Sequence, residues 1–142
     1  MAIRDIRSAS SYRQTVLVLD DQPVVLAIHA AVLRSTALDL HIVAMTNPLD
    51  ALEWIRQKQV DLIITDYRML QMDGILFVNA VRRSRNEPTQ PIIVVTALND
   101  KKVHQRLLAA GVSACFVKPA SATKLSMISR TLLENNRKHY VT

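Results

Sequence analysis

The sequence predicts an α/β protein built on a doubly wound, five-stranded parallel sheet. Two observations carry that prediction. Short aliphatic runs such as Leu62-Ile63-Ile64 and Ile92-Ile93-Val94-Val95 need cover on both faces, as strands in the middle of a parallel sheet do. Between these runs lie longer segments with apolar positions at helical spacing, so strand and helix alternate along the chain.

Length and composition agree. With 142 residues and no long polar linker, one domain is expected. A hydrophobic content of 49% suffices for a core, and the 4% aromatic content means that Val, Ile, Leu and Ala must build it.

Residues 1–14 are polar and aperiodic and predict a flexible tail ahead of a domain over 15–137. Thr15 to Leu19 is the first strand and runs into Asp20-Asp21. From Pro23, which suits a first helical turn, Val25, Ile28, Val32 and Leu33 recur at helical spacing. His41 to Met45 is the second strand, and Leu49 to Gln59 a helix with Leu52 and Ile55 on its apolar face. Asp61 to Asp66 is the third strand, Asp73-Gly74 a turn, and Ile75 to Arg85 a helix. Pro91 to Thr96 is the fourth strand. The next helix starts near Asn99 or Asp100 and stops at Gly111. Ser113 to Pro119 is the fifth strand. Ser121 caps a final helix to Arg137, with Leu125, Ile128, Leu132 and Leu133 inward. Residues 138–142 are then a tail or the start of a linker.

The net charge of +6 raises a nucleic-acid reading, but its distribution argues against one. Arg4, Arg7 and Arg13 against Asp5 sit in the N-terminal tail, and the rest is scattered apart from Arg82-Arg83-Ser84-Arg85. No zinc-finger, helix-turn-helix or aromatic RNA-binding signature accompanies it, so no direct nucleic-acid binding is expected. The surface charge is read as solvated, with a docking patch for an acidic partner as the alternative. The single cysteine excludes an internal disulfide, and no apolar run is long enough to span a bilayer. A cytoplasmic setting without membrane contact is expected. Only Gly74 and Gly111 occur, which argues against a glycine-rich phosphate loop.

The chemistry lies at the strand ends. Strand one ends in Asp20-Asp21, strand three in Asp66, strand four in Thr96-Ala97 and strand five in Lys118-Pro119. In a flavodoxin-like strand order of 2-1-3-4-5 these ends are neighbours at the carboxyl edge, where open α/β sheets bind ligands. Each residue alone has a bland reading: a cap, a loop acid, a surface lysine. Their joint placement on four strand ends does not. Clustered carboxylates repel one another, and a hard cation such as Mg²⁺ removes that penalty. Lys118 and Thr96 could hold further phosphoryl oxygens, so the set suits phosphoryl transfer.

Over roughly residues 15–137 the chain resembles the receiver domain of two-component response regulators. The matching motifs are Asp20-Asp21, the segment from Asp66 through Met69 and Met72 to Asp73-Gly74, Thr96-Ala97, and Lys118-Pro119. The resemblance implies a bacterial signalling domain, not a free-standing enzyme, in which Asp66 accepts a phosphoryl group from a phosphohistidine on a sensor histidine kinase or phosphotransfer protein. It implies Mg²⁺ bound by Asp21, Asp66 and the backbone carbonyl of Arg68, with Asp20 acting largely through water. Thr96 and Lys118 would contact phosphoryl oxygens, and the Lys118–Pro119 peptide would be cis. Movement of Thr96 would then repack the face of helix four, strand five and helix five, toward a downstream effector domain or protein, or into a homodimer.

Two positions depart from the family. Leu70 stands where a proline is usual. Cys115 stands at the aromatic switch position, and a thiol cannot swing as a ring does. Phe116 points to the other face by strand alternation, so it is not expected to substitute. Arg68 and Leu98 lack a group to orient attacking water, which predicts slow self-dephosphorylation. His29, His41, His104 and His139 show no metal-ligand spacing, and His104 is expected to face solvent. Met69, Met72 and Trp54 are read as packing.

Two other functions remain in view. A haloacid-dehalogenase-type phosphatase would need an acid two residues after Asp66, where Arg68 stands. A receiver-like module acting without phosphorylation fits the departures at Leu70 and Cys115. The segment Asn47 to Leu52 is similar to receivers that precede HD-GYP cyclic-di-GMP phosphodiesterase domains, which makes an N-terminal piece of such a regulator, beside a stand-alone receiver, a further expectation.

Overall fold

The computed structural model describes residues 13–85 and 89–141. The elements in order are β1 (Gln14–Leu19), α1 (Pro23–Arg34), β2 (Leu40–Met45), α2 (Pro48–Gln57) and β3 (Leu62–Asp66). They continue with α3 (Gly74–Arg85), β4 (Ile92–Thr96), α4 (Lys101–Ala109), β5 (Ala114–Val117) and α5 (Ala122–Val141). The five strands form one sheet in the order β2-β1-β3-β4-β5, with every pairing parallel. Most of the expected N-terminal tail lies outside the described residues. Gln14 already belongs to β1, and α5 continues past Arg137 to Val141.

Strand alternation divides the core in two. Leu17, Leu19, Ile63, Ile92 and Val94 face one way and are covered by Ala51, Leu52 and Ile55 of α2, Phe77, Val78 and Val81 of α3, and Leu107 of α4. Val16, Val18, Leu62, Ile64, Ile93 and Val95 face the other way, under Leu26, Val32 and Leu33 of α1 and Leu125 and Leu133 of α5. Cys115 packs on the first face and Phe116 on the second, as alternation requires.

Helix starts follow local chemistry. Asn47 Oδ1 accepts the N–H of Leu49 and Asp50 at the head of α2, and Asp100 Oδ1 does the same for Lys102 and Val103 at α4. Ser121 Oγ accepts the Lys124 N–H at 3.3 Å, so the expected cap of α5 is present.

Spacing left the place of Ile28 open, and the expectation for His104 needs correction. Ile28 is 55% exposed, because Leu26, His29, Ala30 and Leu33 form the inward stripe of α1. In an apolar helix several stripes have helical spacing, and only docking on the sheet selects one. His104 is half-buried, with Nε2 3.0 Å from the Leu98 carbonyl, and does not simply face solvent.

Candidate functional site

The register of the sheet brings the acids together. Leu19 pairs with Thr65, so the residues that follow, Asp20 and Asp66, emerge side by side at the carboxyl edge. Asp20 has the parity of Val18, Asp66 that of Ile64 and Lys118 that of Phe116, so all three continue the face covered by α1 and α5. Asp66 pairs with Val95, Thr96 follows it on β4, and Thr96 pairs with Val117 before Lys118. The Lys118 N–H donates to the Thr96 carbonyl at 2.7 Å, and the Lys118–Pro119 peptide is cis.

Asp20 is wholly buried, Asp66 is buried and Asp21 is exposed. An oxygen from each can be chosen so that all three lie within 4.8 Å of one another. That separation and donor set fit a hard divalent cation, which takes carboxylate oxygens at short range and keeps several waters. Arg68, on the loop beyond β3, is exposed and forms an isolated bridge with Asp73.

Lys118 joins the acids directly. Its Nζ is 2.9 Å from Asp20 Oδ2 and 3.3 Å from Asp66 Oδ1. Asp20 Oδ1 accepts the Gln22 N–H at 2.9 Å, so both of its oxygens have protein partners in this structure. Asp66 Oδ1 also accepts the Tyr67 N–H at 2.8 Å. Among the described residues no hydrogen bond is directed at Asp66 Oδ2, which leaves that oxygen open to a ligand. Thr96 Oγ1 is buried and accepts the Leu98 N–H at 3.0 Å.

Burial, and after it the charge of Asp20, raises the pKa of Asp66, while Lys118 and the Tyr67 N–H oppose the shift. For Lys118, burial favours the neutral amine, but the hydrogen bond to Asp20 and the charges of Asp66 and Asp20 outweigh it. Its pKa is raised.

Sequence reasoning gave no place at the site to two residues. His29 is only 6% exposed and lines a cavity of about 370 Å³ between α1 and α5 with Lys118, Pro119 and Leu125. Burial lowers its pKa, against the charge of Asp20. Its place in the inward stripe of α1 was the available signal. Tyr67 is buried against Gly74, where a Cβ would come within 2.7 Å of its Cδ2. A small residue after Asp73 is therefore a packing requirement.

A parallel doubly wound sheet with three acids and a lysine at its carboxyl edge defines a class, and the comparisons agree with it. The chain matches the response regulator receiver domain over residues 16–129, and it belongs to that family, the receiver domains of two-component response regulators. It is 34% identical over 119 residues to the cyclic di-GMP phosphodiesterase response regulator RpfG of Xanthomonas campestris pv. campestris, covering 84% of this chain and 32% of that protein. It is 33% identical over 117 residues to protein-glutamate methylesterase/protein-glutamine glutaminase 1 of Pseudomonas savastanoi pv. phaseolicola, covering 80% and 32%. The chain thus spans about a third of the length of these curated relatives.

Solved structures share the fold. The signal receiver domain of an HD domain-containing protein from Pseudomonas fluorescens Pf-5 superposes with a TM-score of 0.78 at 23% identity, covering 89% of this chain and 91% of that one. The chemotaxis response regulator CheY4 of Vibrio cholerae gives 0.75 at 24% identity, covering 86% and 100%. The family is regulatory, and among the described residues no helix is long and apolar enough to cross a membrane.

Proposed function

We propose that this domain is a phospho-switch in which Asp66 accepts a phosphoryl group from a phosphohistidine of a sensor kinase or phosphotransfer protein. One observation carries the reading: Asp20, Asp21 and Asp66 offer oxygens within 4.8 Å of one another, with Lys118 bonded into the same cluster. Mg²⁺ would be held by these carboxylates and the backbone carbonyl of Arg68. When bound it offsets their mutual repulsion and the charge of the phosphoryl oxygens.

The chain's own groups supply the rest. The open oxygen of Asp66 forms the new P–O bond as the P–N bond breaks, and the imidazole nitrogen keeps the electron pair and then takes a proton. Lys118, already within reach of Asp66, pairs with one phosphoryl oxygen, and the Thr96 hydroxyl donates to another. Cytoplasmic placement and an output through the α4, β5 and α5 face, to an effector or a second copy, complete the proposal.

Incubation with acetyl phosphate and Mg²⁺ tests it. One phosphoryl mass should appear on Asp66 and be absent in Asp66→Asn. Steady release of phosphate without an acyl phosphate would favour a phosphatase instead, and no reaction at all would favour a module acting without phosphorylation.

The likeness to RpfG favours one setting among several. In it the domain is the receiver part of a longer regulator whose output is a cyclic di-GMP phosphodiesterase. The open reading frame around this segment tests that directly.

A further inference from the structure

A chain of two hydrogen bonds leads from the candidate site to helix α4. Thr96 Oγ1 accepts the Leu98 N–H, and the Leu98 carbonyl lies 3.0 Å from His104 Nε2. A carbonyl only accepts, so Nε2 must carry the proton and donate. The His104 backbone N–H donates to the Asp100 carbonyl at 3.0 Å, and the Asp100 carboxylate caps the same turn. The ring therefore rides on a well-fixed first turn of α4, while the buried Leu107 holds the helix to the core. Leu98 and Val103 pack against that core as well.

We propose that His104 is a positioning residue that couples Thr96 to helix α4, so that an event at Asp66 is felt on the α4 surface through Leu98. The proposal rests on the phosphoacceptor reading given above. A hydroxyl can donate to a phosphoryl oxygen while still accepting from Leu98. What disturbs this chain is movement of Oγ1 itself, when the side chain turns about its Cα–Cβ bond and Oγ1 leaves the line of the Leu98 N–H. Leu98 then either follows Oγ1 or loses that bond. In the first case the carbonyl held by His104 moves with it, and in the second the loop that carries that carbonyl loses a restraint. Cys115, beside Val94 on β5, packs against the same core but offers no ring and, among the described residues, no hydrogen bond to this loop. His104 occupies the role that a switch ring would have.

Nitrogen-15 NMR on the whole chain tests the link in two arms. Without any phosphoryl mimic, Thr96→Ala should shift the His104 ring nitrogens and speed amide exchange in the first turn of α4, while Thr96→Ser, which keeps the hydroxyl, should not. With Mg²⁺ and beryllofluoride, a bound fluorine signal reports occupancy of Asp66. The wild type should then shift its amides from Lys101 to Ala109. His104→Ala should keep the bound fluorine signal and lose those shifts, and His104→Gln, whose amide can still donate, should retain part of them. Full α4 shifts in His104→Ala, or a His104 ring indifferent to Thr96→Ala, would overturn the proposal. A wild type that binds no beryllofluoride would count against the phosphoacceptor reading. The first arm would still decide the coupling.

Discussion

Lys118 Nζ stands 2.9 Å from Asp20 Oδ2, an ion pair whose carboxylate is fully removed from solvent. Removing the ammonium strands that charge. Lys118→Met should destabilise the metal-free protein by about 3 kcal/mol, since breaking a buried pair from one side leaves an uncompensated ion. Mg²⁺ should restore part of the loss. Because the folded pKa of Lys118 is raised above 10.5, its contribution is fully present below that value and lost as pH rises through the folded one. Urea unfolding with and without Mg²⁺ checks both points, and an unchanged midpoint in the variant would contradict them.

Burial shifts the pKa of Asp66 upward in spite of its ion pair with Lys118. Its folded pKa is raised above 3.8, so the folded state holds the proton more tightly than the unfolded one. Its ionisation therefore weakens the metal-free fold as pH rises through that window. Asp66→Asn should stabilise the metal-free protein at neutral pH by on the order of 1 kcal/mol, because it removes a charge that burial and Asp20 disfavour and Lys118 only partly offsets. Mg²⁺ affinity in the wild type should weaken as pH falls toward the raised pKa. Calorimetry at two pH values reads this directly.

The two glycines serve different needs. Gly111 has φ +87°, where an L side chain is strained, and Arg82 donates to its carbonyl at 2.8 Å and to that of Gln90 at 2.7 Å. Gly111→Ala should cost about 1–2 kcal/mol from the backbone alone. At Gly74 a Cβ would meet Tyr67 Cδ2 at 2.7 Å and its Cα at 3.1 Å, and the latter cannot rotate away. Gly74→Ala should cost about 1–3 kcal/mol through overpacking, seen as a lower Tm. It should also slow phosphorylation, because Tyr67 donates its N–H to Asp66.

Exposed Arg68 and half-buried Leu98 offer no carboxylate or carboxamide to orient water. The acyl phosphate on Asp66 should therefore outlast seconds in the isolated domain. Placing an amide at position 68 and a carboxylate at position 98 together should shorten its lifetime. A wild-type lifetime of seconds would sink this expectation.

Much of this molecule was legible before any coordinates. Aliphatic runs that need cover on both faces identified β3 and β4. Helical spacing, a start near Asn99 or Asp100 and the cap at Ser121 located the helices, and acids, a threonine and a lysine at the ends of four strands marked the edge that matters. Strand boundaries moved by a residue or two because strand ends depend on neighbours, while the last helix ran past Arg137 to Val141. Spacing alone left the inward stripe of α1 undecided, and Ile28 turned out exposed, since an apolar helix carries several stripes of equal spacing and the sheet chooses among them.

What the sequence determined alone was the alternation of strand and helix and the chemical inventory at one sheet edge, because both are written in local periodicity and residue type. The tertiary structure decided which groups touch. Parallel register sets Asp20 beside Asp66, burial turns Lys118 onto both, and the loop after β4 brings His104 under the Leu98 carbonyl. Contacts between residues as far apart as 20 and 118 depend on how layers pack, and no local pattern encodes them.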